Sequence, residues 1–241
     1  MSSPYNRTHL PIDTAEERMI VHRDYIAHCL RWSHVMKHAR IGQTILDLGA
    51  ADFPLAMAFY TNKYKPNLFV GVEIRDAMLA KAKEKLAKAP FQIEYIQADL
   101  CKEFDKIPKH VYDIITSFEF IEHIPGEQVE PFLINVKSLM SLETTFFLST
   151  PCYDGKNMAE NHIKEWYYDE LKTLLEKHFT IEASFGTFIN QSAVKEVGTP
   201  AVIEVFEKLR GYYDSNYLAT IFAPLYPEKA RNCIWRLKIN L

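Results

Sequence analysis

The 241-residue chain carries 28 basic and 31 acidic side chains, a net charge of −3, and 48% of its residues are hydrophobic. That balance excludes a disordered chain, a disulfide-bound miniprotein and a collagen-like repeat, and the length suits one large domain. Near neutrality also excludes a protein that coats nucleic acid by charge alone, while a local basic face stays open.

The opening segment MSSPYNRTHLPID lacks the apolar run of a secretory signal. No apolar stretch approaches the ~20 residues of a membrane span. Cys29, Cys101, Cys152 and Cys233 are widely spread with no Cys-x-x-Cys pair. Four reduced cysteines in a cytoplasm, the host's if the chain is viral, are the expectation.

Residues 14–39 read as one long helix. Thr14 and Glu17 fit a capping box, and Tyr25, Cys29, Trp32 and Met36 recur at helical spacing on one face. From there short β-rich runs alternate with helical ones. TILDLG (44–49) is a strand, 53–64 a helix, LFVGVEI (68–74) a strand and 75–89 a helix of strong formers closed by Pro90. IEYIQAD (93–99) and VYDIITS (111–117) are strands, 128–140 a helix, TTFFLST (144–150) a strand and 167–178 a helix. TIEASFG (180–186) and CIWRLKI (233–239) are the last strands. Such alternation implies crossovers between mostly parallel strands, with helices on both faces. Between the last two strands, 187–232 is too long for a hairpin. There Thr199 and Pro200 read as the N-cap and first residue of one helix, and a second is expected near 215–223.

In an open α/β sheet, ligands sit beyond the carboxyl ends of the strands. Asp47 and Gly49 end the first strand, Glu73 the second and Asp99 the third, and Ser117 to Glu119 follow the fourth. TILDLGAADFPLA, VGVEIRDAM, YIQADL and YDIITSFEFIEHI, in this order, resemble the successive motifs of class I S-adenosylmethionine (SAM)-dependent methyltransferases. The resemblance covers about residues 42–186. It implies a Rossmann-like, seven-stranded sheet completed by the final strand, with SAM as cofactor. It places the methionine part against the turn Asp47, Gly49, Ala51. Glu73 would accept from both ribose hydroxyls, since a carboxylate has two acceptor oxygens and no donor. Asp99 would accept from the adenine amino group, with Leu100 against the ring and Ser117 beside the cofactor. Ala51 and Phe53 replace the second and third glycines of the family's Asp-x-Gly-x-Gly-x-Gly, and Phe53 is expected to narrow the cofactor pocket. A nicotinamide dehydrogenase is disfavoured because Gly-x-Gly-x-x-Gly is absent.

Methyl transfer is an in-line displacement that needs alignment and water exclusion. An oxygen or nitrogen acceptor adds the need for a base or a metal. Ser117-Phe118-Glu119-Phe120 stands where amino-directed DNA methyltransferases carry their Pro-Pro-aromatic motif. Pro151-Cys152 follows the fifth strand rather than the fourth, so Cys152 reads as structural or pocket-lining. Glu119, Glu122 and His123 stand at i, i+3 and i+4, on one side of a helical turn. NHIKEW follows, with His162, Glu165 and Trp166. Two carboxylates and two imidazoles suit a divalent cation, Mg²⁺ or Mn²⁺, that activates a hydroxyl. The set Glu119, Glu122, His123 and His162 resembles the metal site of the 2′-O-methyltransferases that modify small-RNA 3′ ends. Metal-using quinone-biosynthesis O-methyltransferases share its first part. Without metal, His162, His123 and Glu119 would be the catalytic set, with His162 as general base, or the Glu-His pair would pack against the cofactor. His34 and His38 read as a solvated helix face, and His22-Arg23-Asp24 as a chance likeness to a kinase triplet.

The aromatic surplus, 13% of the chain, is concentrated partly between 185 and 226. Phe206 and Phe222 read as the core of that insertion. Tyr212, Tyr213, Tyr217 and Tyr226 read as candidates to stack on an acceptor.

The expectation is therefore a single methyltransferase domain over 1–241, with an N-terminal capping helix at 14–39 and a helical, aromatic lid at 187–232. It moves a methyl group to an O or N acceptor on a nucleic acid, nucleotide or small metabolite. Two alternatives are a metal-dependent RNA ribose 2′-O-methyltransferase and a non-catalytic SAM-fold partner subunit. No membrane partner is expected, and the oligomeric state is open.

Overall fold

The β-branched and aromatic runs form seven strands in the computed structural model, which describes residues 23–156 and 158–240. They are β1 (Thr44–Leu48), β2 (Leu68–Glu73), β3 (Gln92–Gln97), β4 (Ile114–Phe118), β5 (Thr145–Pro151), β6 (Phe179–Ile189) and β7 (Ala230–Ile239). The helices are α1 (Arg23–His38), α2 (Pro54–Thr61), α3 (Asp76–Lys85), α4 (Gly126–Ser138), α5 (Tyr168–Glu176), α6 (Gln191–Val197), α7 (Pro200–Leu209) and α8 (Ser215–Phe222).

The strand order is β3-β2-β1-β4-β5-β7-β6. β1 pairs in parallel with both β2 and β4, β2 with β3, and β4 with β5. The chain runs one way from β1 to β3 and then returns to the other side of β1 with β4. Such a switch point opens a crevice at the carboxyl ends of the two strands, the usual ligand position in this architecture. The loop after β1 and the loop after β4 face that crevice.

The chain divides into two compact units, one built from the N-terminal part up to His34 with Ser184–Ile234, the other from Val35–Ala183 with Trp235–Leu241. The larger unit contains β1 to β5. Except for the edge strand β3, which is half-buried, its strands β1 to β5 are buried along almost their whole length, with Ile45, Leu46, Phe69, Val70, Ile115, Phe147 and Leu148 nearly inaccessible. Near-continuous apolar strands are what a sheet covered on both faces requires. α4 adds Val129, Phe132, Leu133 and Val136 to this core, at helical spacing along one face.

The smaller unit has its own core of Ile189, Val194, Phe206, Leu218, Phe222 and Ala223. Phe206 and Phe222 meet edge to face at 5.3 Å, as their assignment to an internal core anticipates. Tyr212, Tyr213 and Tyr217 are exposed. Thr199 caps α7 as expected, its side chain accepting from the Val202 N–H, and Pro200 takes the first turn. A helix not anticipated, α6, precedes it. β6 runs on to Ile189 and β7 begins at Ala230, so the expected insertion includes the ends of both strands.

The N-terminal helix departs from its expected face. Ala27, Arg31, Val35 and Ala39 are buried, four residues apart, while Cys29, Trp32 and Met36 are half-buried. The polar Arg31 hides inside the periodicity because it is paired: its guanidinium donates to Asn232 Oδ1 at 3.3 Å, which also accepts from Thr187 Oγ1. His34 and His38 are not a solvated face either. His34 stacks on Phe185 at 4.6 Å, and His38 Nε2 accepts from Arg236. Thr14 and Glu17 lie outside the described residues.

Candidate active site

The turn after β1 keeps positive φ at all three glycine positions of the motif, although only the first is a glycine. Gly49, Ala51 and Phe53 all have positive φ, +76°, +49° and +61°. Only glycine reaches this region without a Cβ penalty, so Ala51 and Phe53 hold it under strain. The turn is tied to β2 by the N–H groups of Gly49 and Ala50, both donating to the Val72 carbonyl at 2.9 Å. A Cβ on Gly49 would lie 3.0 Å from the Phe120 ring, so the loops after β1 and β4 approach closely here.

Phe53 does not narrow the cofactor pocket. Its ring is fully buried, stacked on Tyr95 at 5.1 Å and seated over Gly71 of β2. The left-handed φ at the N-cap of α2 turns the side chain down into the sheet, so the substitution fills the core instead.

Glu73, at the end of β2, is buried to 5% exposure. Its Oε2 accepts from the Ala51 N–H at 2.9 Å, and its Oε1 from the Arg75 N–H at 3.0 Å and Arg75 Nε at 2.8 Å. Arg75 Nη2 approaches Oε2 at 3.4 Å. The first glycine-type turn and the ribose-type carboxylate are thus directly joined. Pairing with Glu73 raises the Arg75 guanidinium further above its already high range.

Asp47 is buried at the end of β1 and accepts from Thr116 Oγ1 at 2.6 Å. Burial pushes its carboxyl up to about 7, the Thr116 hydrogen bond opposes this, and the negative charge of Glu73 adds to it. Asp99 follows β3 by two residues. Its Oδ1 accepts from the Cys101 N–H at 2.9 Å and its Oδ2 pairs with Lys102 at 3.2 Å. The Cys101 N–H foremost, against partial burial and aided by Lys102, holds it below the ordinary carboxylate range. Leu100 is buried, and Ser117 is buried with an Oγ that meets no hydrogen-bond partner among the described residues.

After β4, the expected helical turn is only a short 3₁₀ segment, Ile121–His123. Glu119 lies before it with φ +52°, so the i, i+3, i+4 alignment does not hold. Glu119 accepts from Ser149 Oγ at 2.7 Å. Glu122, His123 and His162 do converge, with one ligand atom of each within 4.8 Å of the others. Glu119 is outside that cluster.

The three are firmly placed. Glu122 is fully buried, and its Oε2 accepts from Thr150 Oγ1 at 3.0 Å. Its backbone carbonyl accepts from the Ile163 N–H at 2.7 Å, drawing the second segment to the first. His123 Nδ1 donates to the Asn161 carbonyl at 3.0 Å, since a carbonyl only accepts. Its Nε2 then faces Glu122 Oε1 at 3.9 Å. Burial lowers the His123 pKa, the Asn161 bond opposes this, and His162 lowers it further. The His123 and His162 rings meet edge to face at 4.9 Å. His162 is bonded to Glu165 through Nδ1 at 2.6 Å. Sequence reasoning saw Glu165 only as part of a motif. The His-x-x-Glu spacing was the signal for its partnership, whereas nothing marked Arg75, Thr150 or the Asn161 carbonyl.

Residues 45–141 match the family model of a methyltransferase domain. The fold is similar to that of small RNA methyltransferase HEN1, with a TM-score of 0.62 and 19% identity, over 89% of this chain and 25% of that one. It is similar to phosphoethanolamine N-methyltransferase 2 of Haemonchus contortus in complex with SAM, with a TM-score of 0.58 and 14% identity, over 88% of this chain and 53% of that one. A TehB-like SAM-dependent methyltransferase from Corynebacterium glutamicum matches with a TM-score of 0.57 and 12% identity, over 87% of each chain. No curated protein sequence matches the chain. Residues 45–141 thus match a methyltransferase domain, within a fold similar to that of SAM-dependent methyltransferases. Among the described residues, no helix is long and apolar enough to cross a membrane.

Proposed function

We propose that the chain transfers the SAM methyl group to a hydroxyl oxygen held beside Glu122, His123 and His162, with a divalent cation bound by these three. The observation that carries this reading is their convergence within 4.8 Å on a single centre. One carboxylate and two neutral imidazoles are a common donor set, and mixed N/O donors suit Mn²⁺ better than Mg²⁺. Nδ1 of each imidazole is engaged, by the Asn161 carbonyl and by Glu165, in the way outer partners engage metal-binding histidines, and Nε2 of each would be the ligand. Glu122 Oε1 and His123 Nε2 face each other at 3.9 Å, a separation that a cation can bridge. When bound, such a cation lowers the pKa of a coordinated hydroxyl. Glu119, whose charge reaches His123, is assigned to the approach of the acceptor.

On the cofactor side, Gly49 and Ala51 would bear the methionine part, Glu73 the ribose, and Asp99 with Leu100 the adenine. Asp47 and Ser117 would line the same side. The left-handed turn, retained although Ala51 and Phe53 replace two of its glycines, supports a binding site rather than a degraded, non-catalytic module. The acceptor favoured is a ribose 2′-hydroxyl of RNA, on the likeness to a small RNA methyltransferase and the exposed Tyr212, Tyr213 and Tyr217, which suit base stacking. We assign 187–232 the role of a lid in one domain of 1–241, working in a reducing cytoplasm.

The test is methyl transfer from labelled SAM to short single-stranded RNA with a 2′-hydroxyl or a 2′-deoxy 3′ end, with Mn²⁺ or with EDTA. Transfer that requires both the hydroxyl and the cation is expected. Equal transfer in EDTA would remove the metal from the reading, and equal transfer to the deoxy end would remove the ribose acceptor.

A further inference from the structure

The segment after β5 brings a second carboxylate into the site that the proposed ligand set does not use. Glu165 is 5% exposed and His162 9% exposed, so their contact is shielded from solvent. The His162 Nδ1 to Glu165 Oε1 distance is 2.6 Å, and the Ala159 N–H reaches the same oxygen at 3.3 Å. A carboxylate oxygen accepts only, so the ring proton sits on Nδ1 and the lone pair on Nε2. The neighbouring ring of His123 is fixed in the same sense by a different acceptor, the Asn161 carbonyl.

The segment itself is anchored. Cys152 and Trp166 form a parallel bridge, and the Tyr153 N–H donates to the Trp166 carbonyl at 2.8 Å. Glu165 therefore acts from a fixed base.

We propose that Glu165 is a positioning residue for His162, which selects the Nδ1–H tautomer and directs the Nε2 lone pair toward Glu122 and His123. This rests on the assignment of His162 to the reacting site, whether as metal ligand or as general base. Both roles need an unprotonated Nε2. In a metal site, outer partners of this kind typically change affinity ~10–100-fold.

The experiment compares wild type, Glu165→Leu and Glu165→Gln by long-range ¹H–¹⁵N NMR of the histidine rings at pH 8, above the ordinary imidazole range. His162→Gln assigns the signal. SAM calorimetry and thermal melting report on folding. Wild type and Glu165→Gln, which keeps an acceptor oxygen, are expected to show the Nδ1–H pattern. Glu165→Leu is expected to shift toward Nε2–H and to weaken Mn²⁺ binding by ~10-fold or more, with SAM affinity within twofold. If Glu165→Leu melts before measurement, Glu165→Ala replaces it, with the same shift toward Nε2–H expected and an unchanged Nδ1–H pattern overturning the proposal. An Nδ1–H pattern unchanged in Glu165→Leu, or an Nε2–H pattern in wild type, overturns the proposal. If wild type binds no Mn²⁺ while the tautomer still follows Glu165, the positioning role holds and the metal reading falls.

Discussion

The Phe53 ring occupies the space that Gly71 leaves empty: a Cβ on Gly71 would lie 2.1 Å from Phe53 Cζ. A residue from the turn after β1 and a residue in the middle of β2 therefore act as one packing unit. Gly71→Ala is expected to destabilise the protein by about 1–3 kcal/mol through overpacking. Phe53→Ala should cost about 3–5 kcal/mol through the cavity it leaves. The double variant should cost less than their sum, because each change relieves the other. Denaturant midpoints of the four proteins measure this, and strict additivity would show that the two residues do not share the space.

Ala51 offers the opposite outcome. Its φ of +49° carries a Cβ penalty of about 1–2 kcal/mol, and glycine's extra unfolded-state entropy returns about 0.5–1. Ala51→Gly should therefore raise stability by roughly 0.5–1 kcal/mol and leave SAM binding intact. Equilibrium unfolding with calorimetry of SAM tests both parts. A loss of stability would mean that the turn is not strained.

Glu73 and Arg75 make a paired prediction. Both Glu73 oxygens already accept from Arg75 or Ala51, and the two backbone donors alone hold the carboxylate in place. Glu73→Ala should weaken SAM binding by roughly 10–100-fold, the range for hydrogen bonds to a charged group. Arg75→Ala should tighten it by up to about fivefold, because in the proposed site the exposed guanidinium would compete with the ribose for the same lone pairs, and an ion pair this exposed is worth little. Calorimetry at two salt concentrations would expose the competition. Weaker binding in Arg75→Ala would recast Arg75 as a support.

Asp47 sets a pH dependence. Its folded pKa of about 7 lies above the ordinary aspartate value of 3.8, so between these values the folded state holds a proton that the unfolded state has lost. Stability should then fall as pH rises from about 4 to 7, by roughly 4 kcal/mol at most for a group this buried. Asp47→Asn keeps an acceptor for Thr116 and should flatten the dependence across that window. Unfolding titrations at pH 5, 6 and 7 for both proteins give the slope directly.

The sheet, its crossovers and the acidic strand ends were legible because apolar periodicity and strand-end chemistry are local. So was the Thr199-Pro200 cap. The departures share a tertiary origin. The buried face of the first helix includes Arg31, whose partner Asn232 is distant in sequence. Glu119 looked aligned with Glu122 and His123 because spacing presumes a helix, and its positive φ broke that assumption. Phe53 looked like an obstruction because a motif does not reveal which way a side chain turns. The approach of His162 to Glu122 and His123 depended on a fold-back held by the Ile163 N–H, the Asn161 carbonyl and the Cys152–Trp166 bridge.

That bridge also governs where the chain tolerates change in length. From Asn161 onward, the segment is stitched to the site by the Asn161 carbonyl, the Ile163 N–H and the Trp166 carbonyl. Gly155 and Lys156, by contrast, are exposed at its outer end. An insertion between those two should leave the imidazoles in register, whereas one residue added between Asn161 and Trp166 would shift them. The junction after Gly155 is therefore the natural place to attach a reporter or graft a recognition loop without disturbing the chemistry beneath it.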